Sequence, residues 1–222
     1  KTVTINIRQL QAEEFQFPLC LDIFEAGKRR RETVFIKNND ASFTFDFKEQ
    51  PRLIQVNADG VLLCEINENK VLSDYIFQLK NAKNYTHRRE ALVAVAKKQD
   101  DKVAFTAVVD ALEDSSYKIR ILALEKMDLI NKFSKKNAIQ KIIKIANDDR
   151  KTLVQAAAIE TLGKLIDPEL KQIFNKGLSS PSYAVLGKSL IALYYVDKVA
   201  AIKKSKTLPD DVRKILATPL TK

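Results

Sequence analysis

Five glycines in 222 residues leave little material for a phosphate-cradling loop. None of G-x-x-x-x-G-K-[ST], G-x-G-x-x-G or G-x-S-x-G occurs. One histidine, His87, rules out a His₂ or His₃ metal site built from this chain, and H-E-x-x-H is absent. The two cysteines, Cys20 and Cys64, match no metal or redox spacing. They read as buried small hydrophobes, with a disulfide as the alternative. There is no tryptophan, and the only methionine is Met127. No apolar run approaches the ~18 residues of a membrane-spanning helix, and no apolar signal-peptide core precedes the first strand-like residues. The opening at Lys1, without a methionine, reads as a chain cut or processed from something longer.

What is present is an ordinary globular composition, 45% apolar, with charge unevenly placed. Residues 1–71 hold 10 Lys and Arg against 11 Asp and Glu, whereas residues 72–222 hold 28 against 17. A basic helical region could bind nucleic acid or an acidic partner. Its lysines (Lys97, Lys98, Lys102, Lys118, Lys126, Lys135, Lys136, Lys141, Lys144) are scattered, and aromatics do not alternate with them. A solvated face is the better reading, with neither nucleic acid nor membrane as partner.

One helical pattern recurs. Ile119-Arg120-Ile121-Leu122-Ala123-Leu124-Glu125-Lys126-Met127 is echoed 35 residues later by Val154-Gln155-Ala156-Ala157-Ala158-Ile159-Glu160-Thr161-Leu162. Ala91, Leu92 and Val95 precede Ala123, Leu124 and Met127 by 32 residues; Val185, Ser189, Leu190 and Leu193 follow Val154, Ala158, Ile159 and Leu162 by 31. Positions i, i+4, i+5 and i+8 share one helix face, and the i+4 residue is Ala, Ala, Ala, Ser, where two helices must approach closely. Self-similarity at this period predicts a solenoid of helix pairs. The pattern resembles the inner helix of HEAT-type repeats.

Residues 1–71 alternate with period two, as in Val3, Ile5, Ile7 against Thr4, Asn6, Arg8. Runs over 15–23, 33–37, 42–47, 53–57 and 61–66, separated by turn signals, predict a small antiparallel β-sandwich. Glu25-Ala26-Gly27-Lys28 is expected to turn, and the basic run Lys28-Arg29-Arg30-Arg31 to be a solvated connection, a polyanion site being the minority reading. Near residue 72 the period becomes 3.6. Helices are expected at 73–83 with 86–97, 102–112 with 116–131, 136–147 with 151–165, 168–178 with 182–195, and a last one over 209–217. Ser73 or Asp74 is the expected N-cap of the first. Asp167-Pro168 and Ser180-Pro181 read as cap residue plus proline at the first helical position. Gly163 and Gly177 read as C-cap glycines. The expected fold is therefore α+β multidomain, a β-sandwich domain at 1–71 and a HEAT-like α-α superhelix at 72–222.

The catalytic inventory is nearly empty. His87 takes the repeat position of Ile119, Val154 and Val185, which favours packing or helix-end exposure over catalysis. Any Ser/His/Asp or Cys/His pairing would need it, Cys64–His87 included. The acidic pairs Asp100-Asp101, Glu113-Asp114, Asp148-Asp149 and Asp210-Asp211 fall between helices, where capping and helix-end charge account for them. No catalytic, cofactor-binding or metal-binding residue is assigned, and this chain by itself reads as not an enzyme.

The order of parts, and particular stretches, resemble the C-terminal region of gluzincin zinc aminopeptidases, the aminopeptidase N family. Val3-Thr4-Ile5-Asn6-Ile7-Arg8-Gln9-Leu10-Gln11 resembles the opening strand of their sandwich, and Phe15-Gln16-Phe17-Pro18-Leu19 its "f-x-P-l" strand. The segment from Phe45-Asp46-Phe47 through Pro51–Gly60 resembles the stretch that ends in a strand and an "n-x-d" turn, and His87-Arg88-Arg89-Glu90-Ala91-Leu92 the R-x-A-L start of their helical domain. The resemblance implies a parent that removes N-terminal residues from peptides with zinc. The family's H-E-x-x-H, its downstream Glu and its G-x-M-E-N motif lie before the sandwich and are absent here, so no ligand or catalytic residue carries over. It further implies partners: the missing N-terminal catalytic domain of the same polypeptide, and peptide substrates at a chamber that the helical domain caps. An exposed apolar patch is expected where that domain docks. The alternatives are a free-standing HEAT-like interaction scaffold and, third, a basic nucleic-acid-binding solenoid. Compartment is left open.

Overall fold

Period-two alternation in the first third of the chain is realised as five antiparallel strands. A computed structural model describes residues 1–130, 133 and 135–216. β1 (Thr2–Arg8) pairs with β4 (Asp40–Asp46), and β2 (Phe17–Glu25) lies between β3 (Lys28–Ile36) and β5 (Leu53–Val56). The β1–β4 register places Val3 opposite Phe45, Ile5 opposite Phe43 and Ile7 opposite Ala41. These side chains pack onto Leu19, Leu21, Ile23, Val34, Ile36 and Phe47, making the two-layer core. The outer face of the same pair is polar, with Thr4–Thr44, Asn6–Ser42 and Arg8–Asp40 directly opposed and hydrogen-bonded.

Two departures from the expected strands have local causes. Ala26 (φ 47°) and Gly27 (φ 73°) alone form the hairpin turn, the two-residue type that matches strand twist. Lys28 therefore already belongs to β3, and the basic run lies in a strand rather than a loop. The expected strand at 61–66 is absent. Asn57, with φ 50°, ends the β5 segment, and its side-chain amide donates to Leu62 O at 3.0 Å and accepts from Leu62 N at 3.3 Å. The backbone groups a strand would use are taken by a side chain. Leu62 is held against the core while Val61 and Leu63 are left exposed.

Helices follow: α1 (Leu72–Asn81), α2 (Tyr85–Ala96), α3 (Lys102–Asp110), α4 (Tyr117–Lys126), α5 (Lys135–Asp148), α6 (Thr152–Gly163), α7 (Lys171–Gly177), α8 (Tyr183–Val196), α9 (Lys198–Ser205) and α10 (Asp210–Arg213), with 3₁₀ turns at Ala111–Glu113, Pro168–Leu170 and Lys214–Leu216. Small antiparallel sheets followed by about ten helices make this an α+β fold. α4 ends at Lys126, so that 127–130 of the expected helix are not helical (131 lies outside the described residues), and α9 was not anticipated. The expected last helix is α10 with its 3₁₀ turn, and Ala217 lies outside the described residues. The first helix begins at Leu72, so Asp74 sits inside it and reaches back to accept from Val71 N at 3.0 Å. Asp167 caps as expected, accepting from Glu169 N at 2.9 Å, whereas Pro181 lies outside α8, whose N-cap is Ser182.

The chain divides into two compact units, Lys1–Ala94 and Val95–Lys222, with the division inside α2. In the first unit α1 and the start of α2 are tied to the sandwich. Phe77 of α1 meets Phe24 edge-on at 5.4 Å between centroids, and Arg52 ion-pairs with Asp74 at 2.6 Å. The change of secondary structure near 71 and the division of packing near 94 thus fall one helix pair apart. In the second unit the recurrent stripe is the core: Ile119, Ala123, Leu124, Val154, Ala158, Ile159, Leu162, Val185, Ser189, Leu190 and Leu193 are all buried. Ala91 and Leu92 repeat the pattern in the first unit. Gly163 and Gly177 do end α6 and α7, but their role is close approach. A Cβ on Gly163 would meet Ala192 Cβ at 2.9 Å, and one on Gly177 would run into the Ser189 side chain.

Candidate functional site

His87 enters α2 at a position where the other repeats carry an apolar residue, and the fold uses it as a buried polar tie. Its Nε2 lies 2.9 Å from Asn57 O and its Nδ1 3.1 Å from Gln55 Nε2. A carbonyl can only accept and an amide nitrogen only donate, so Nε2 carries the proton and Nδ1 accepts. Both ring nitrogens are engaged, leaving none to activate a nucleophile. Beside it, Gln78 donates to His87 O and to Glu90 Oε2, each at 2.8 Å. Neither cysteine is the buried small hydrophobe expected: Cys20 is half-buried and Cys64 exposed, its thiol only partly shielded, which raises its pKa, with Sγ 3.8 Å from Leu62 O. Cys20 lies against Thr33 Oγ1, and both thiols are free. Among the described residues no three His, Cys, Asp or Glu side chains come together as a metal ion would require.

The basic run is divided by the pleat of β3. Arg29 and Arg31 share one face and converge on Asp22, Arg29 Nη1 donating at 3.0 Å and Arg31 through Nε at 2.7 Å and Nη2 at 3.0 Å. Burial would raise the Asp22 pKa, but hydrogen bonding and charge from Arg31 and Arg29 outweigh it and hold the carboxyl below its ordinary range. The same bonds raise the Arg31 pKa, and Arg31 also pairs with Asp59. Arg30, on the opposite face, lies 5.2 Å from the Phe47 ring centroid and 3.4 Å from Glu32. Three of the four basic residues are thus ion-paired within the fold.

The acidic pairs also resolve individually. Asp101 accepts from Val103 N and Ala104 N at the start of α3, and Asp114 from Ser116 N. Asp210 and Asp211 open α10. Asp149 is different: it holds Arg120 in a two-bonded pair, Nε–Oδ2 2.8 Å and Nη2–Oδ1 2.9 Å, with both side chains over nine-tenths buried. Arg120 Nη1 also donates to Asp114 O at 2.8 Å. Arg88 likewise reaches back to Ala82 O and Lys83 O, and Gln155 to Asp149 O. This is the second position of the recurrent pattern, used each time to satisfy carbonyls of the loop before its own helix. The fourth copy carries Leu186 there.

One cleft of about 580 Å³ opens beside β5, lined by residues 50–54, 68–70 and Asp74. Its charges are paired: Arg52 with Asp74, and Lys70 with Glu68 at 3.2 Å and Glu90 at 3.6 Å. Burial raises the Glu68 pKa, and Lys70 partly offsets this. Sequence reasoning singled out neither this cluster nor Gln55 and Gln78, since nothing local distinguishes a buried glutamine from an exposed one.

Residues 106–194 match the HEAT-repeat family. No curated protein matches the chain in sequence. Among solved structures, aminopeptidase A of Legionella pneumophila, solved in complex with aspartic acid, is similar with a TM-score of 0.49 and 13% identity. That similarity covers 93% of this chain and 27% of the Legionella chain, so the protein spans about a quarter of that neighbour's length.

Proposed function

We propose that this chain is the non-catalytic C-terminal part of a zinc-dependent aminopeptidase of the aminopeptidase N family, where it scaffolds the catalytic domain and caps the peptide-access chamber. The observation carrying this reading is the order of parts together with where the resembling residues fall. The Val3–Ile7 stretch is the inward-facing strand β1, and Phe17-Pro18-Leu19 opens β2. Gln9 of the same stretch fixes the intervening loop by donating to Phe15 O and Asn38 O. HEAT-type pairing of the helices supports the scaffold role, since such pairs present long continuous faces to a partner. The chain's own residues do not fit a zinc site: its one imidazole has both nitrogens engaged, and the described carboxylates and thiols do not converge. On this reading zinc and the chemistry lie in a catalytic domain that precedes this region in the longer polypeptide.

The coding sequence upstream of Lys1 tests the proposal. H-E-x-x-H with a downstream Glu, preceded by G-x-M-E-N, supports it, and the longer protein should then release N-terminal residues from peptides. The same fold upstream without those ligands would replace it with a non-catalytic scaffold. A natural start codon directly before Lys1 would overturn it in favour of a free-standing interaction scaffold.

A further inference from the structure

Half of the basic run on β3 faces a third cation that the fold brings from more than fifty residues away. In the β2–β3 register Phe24 stands opposite Arg29 and Asp22 opposite Arg31. Both arginines therefore leave the sheet on the face turned away from the sandwich core, while Lys28 and Arg30 leave it on the face of Ile23. Beside Arg31 lie the turn after β5 and the connection between α1 and α2. Asn84 Nδ2 donates to Asp59 O at 2.9 Å, and the Asp59 carboxylate holds Arg31. Strand, turn and connection are thus joined around one hollow of about 450 Å³, lined by Arg29, Arg31, Ala58, Asp59, Lys83 and Asn84. All of these belong to the first compact unit. Lys83 is exposed, and its ammonium has no hydrogen-bond or ion-pair partner among the described residues. Arg29, with 31% of its side chain exposed, gives Asp22 one of its five N–H groups.

We propose that this hollow is an oxyanion site that takes a phosphate monoester, with Arg29 and Lys83 as its donors. Charge sets the sign. Arg29, Arg31 and Lys83 line it against Asp22 and Asp59, and both carboxylates are already engaged. Asp22 receives Arg31 Nε on one oxygen, and Arg29 Nη1 with Arg31 Nη2 on the other; Asp59 receives Arg31 Nη1. The other carboxylates of β2, β3, α1 and α2 are held elsewhere: Glu25 by the Lys48 and Glu49 N–H groups, Glu32 by Arg30, Asp74 by Arg52 and Glu90 by Lys70. Behind the connection Arg88 adds positive charge, its Nη1 donating to Lys83 O at 2.7 Å. A phosphate ester carries nearly two charges on three acceptor oxygens, so a guanidinium and an ammonium arriving from different elements can both bind it. The hollow has the size of a small-molecule site. No aromatic ring lines it as a stacking platform for a base, so recognition ends at the phosphate. The proposal does not depend on the aminopeptidase reading.

The test is equilibrium dialysis of the full 222-residue chain against radiolabelled glycerol 3-phosphate, at an ionic strength fixed with chloride. One saturable site is expected, emptied by inorganic phosphate and not by added chloride. Lys83→Ala and Arg29→Gln should each weaken it about tenfold, since a hydrogen bond to a charged group carries at least that much. Lys28→Ala, beside Arg29 in sequence but on the other face of β3, should leave it unchanged. Lys83 makes no bond within the fold, so its variant tests the site without disturbing folding, and circular dichroism checks this for Arg29→Gln. A parallel arm sediments the chain with phosphatidylcholine vesicles containing phosphatidic acid. Binding there that depends on Lys83, without uptake of the soluble ester, would assign the phosphate to a lipid headgroup. Uptake that rises without saturating and no Lys83-dependent sedimentation, or an equal loss on Lys28→Ala, would overturn the proposal.

Discussion

Replacing Arg120 by leucine removes the only cation that, among the described residues, neutralises the Asp149 carboxylate in the interior of the helical unit. The pair is two-bonded, at 2.8 and 2.9 Å, with 7% and 8% of the two side chains exposed. Solvent cannot take over when one partner is lost, and breaking such a pair costs about 3–5 kcal/mol. The lost donors to Asp114 O and Ser115 O act in the same direction. Asp149 keeps one compensation, the Lys151 N–H at 2.8 Å, so the lower end of that range, about 3 kcal/mol, is expected. At this chain size that corresponds to a fall in Tm of roughly 6–12 °C. Urea denaturation followed by far-ultraviolet circular dichroism measures it, and the double variant Arg120→Leu/Asp149→Leu should be less destabilised than the two singles added together. A stability change within about 0.5 kcal/mol for Arg120→Leu, the range of ordinary surface substitutions, would refute the assignment of this pair to the interior. The contrast is Arg8–Asp40: its 2.6 Å separation is shorter, but 70% and 69% of its side chains are in water. Arg8→Ala should leave stability unchanged in the same assay, because solvent screening outweighs distance.

Other consequences concern packing, polar ties and pH. His87→Ala should destabilise the first unit by about 1–3 kcal/mol, since it strands the buried Gln55 amide and Asn57 carbonyl; an unchanged urea midpoint would contradict this. Gly177→Ala should cost about 1–3 kcal/mol through collision with Ser189. Ser189→Ala should be near neutral, because that hydroxyl is fully buried and makes no hydrogen bond. Thermal melts of both variants separate the two effects. Asp22 has a lowered pKa, so its contribution is full above the ordinary carboxyl value near ~4 and is lost as pH falls through the lower folded value. Asp22→Asn should therefore flatten the acid limb of the stability–pH profile of the sandwich unit below about pH 4; an acid limb as steep as in the unmodified protein would count against the Arg29–Asp22–Arg31 assignment.

How far these features were legible in the sequence depended on whether their cause was local. Period two in β1 and β4 and period 3.6 from Leu72 onward are backbone geometry written directly into residue order, and the buried stripe at Ala123, Leu124, Ala158, Ile159, Ser189 and Leu190 follows from it. Turn and cap chemistry was read correctly where one residue suffices, as at Asp101 and Asp167, and missed where a neighbour competes. Val61–Ile66 has strand composition, yet the side chain of Asn57 takes the backbone of Leu62. The run Lys28–Arg31 looks like one patch in the sequence, but the pleat sends its members to opposite faces, and only β2 alongside supplies Asp22.

The sequence by itself determined the two kinds of secondary structure, their order, the repeat and the lack of catalytic or metal-binding motifs. Only the tertiary structure decided which polar groups are buried and with whom. Gln55 meets His87 across 32 residues, Asp149 meets Arg120 across 29, and Gly177 lies against Ser189 in a neighbouring helix. The physical reason is range: hydrogen-bonding periodicity acts over a few residues, whereas the low-dielectric interior that gives a buried charge or amide its weight exists only once distant segments have closed around it.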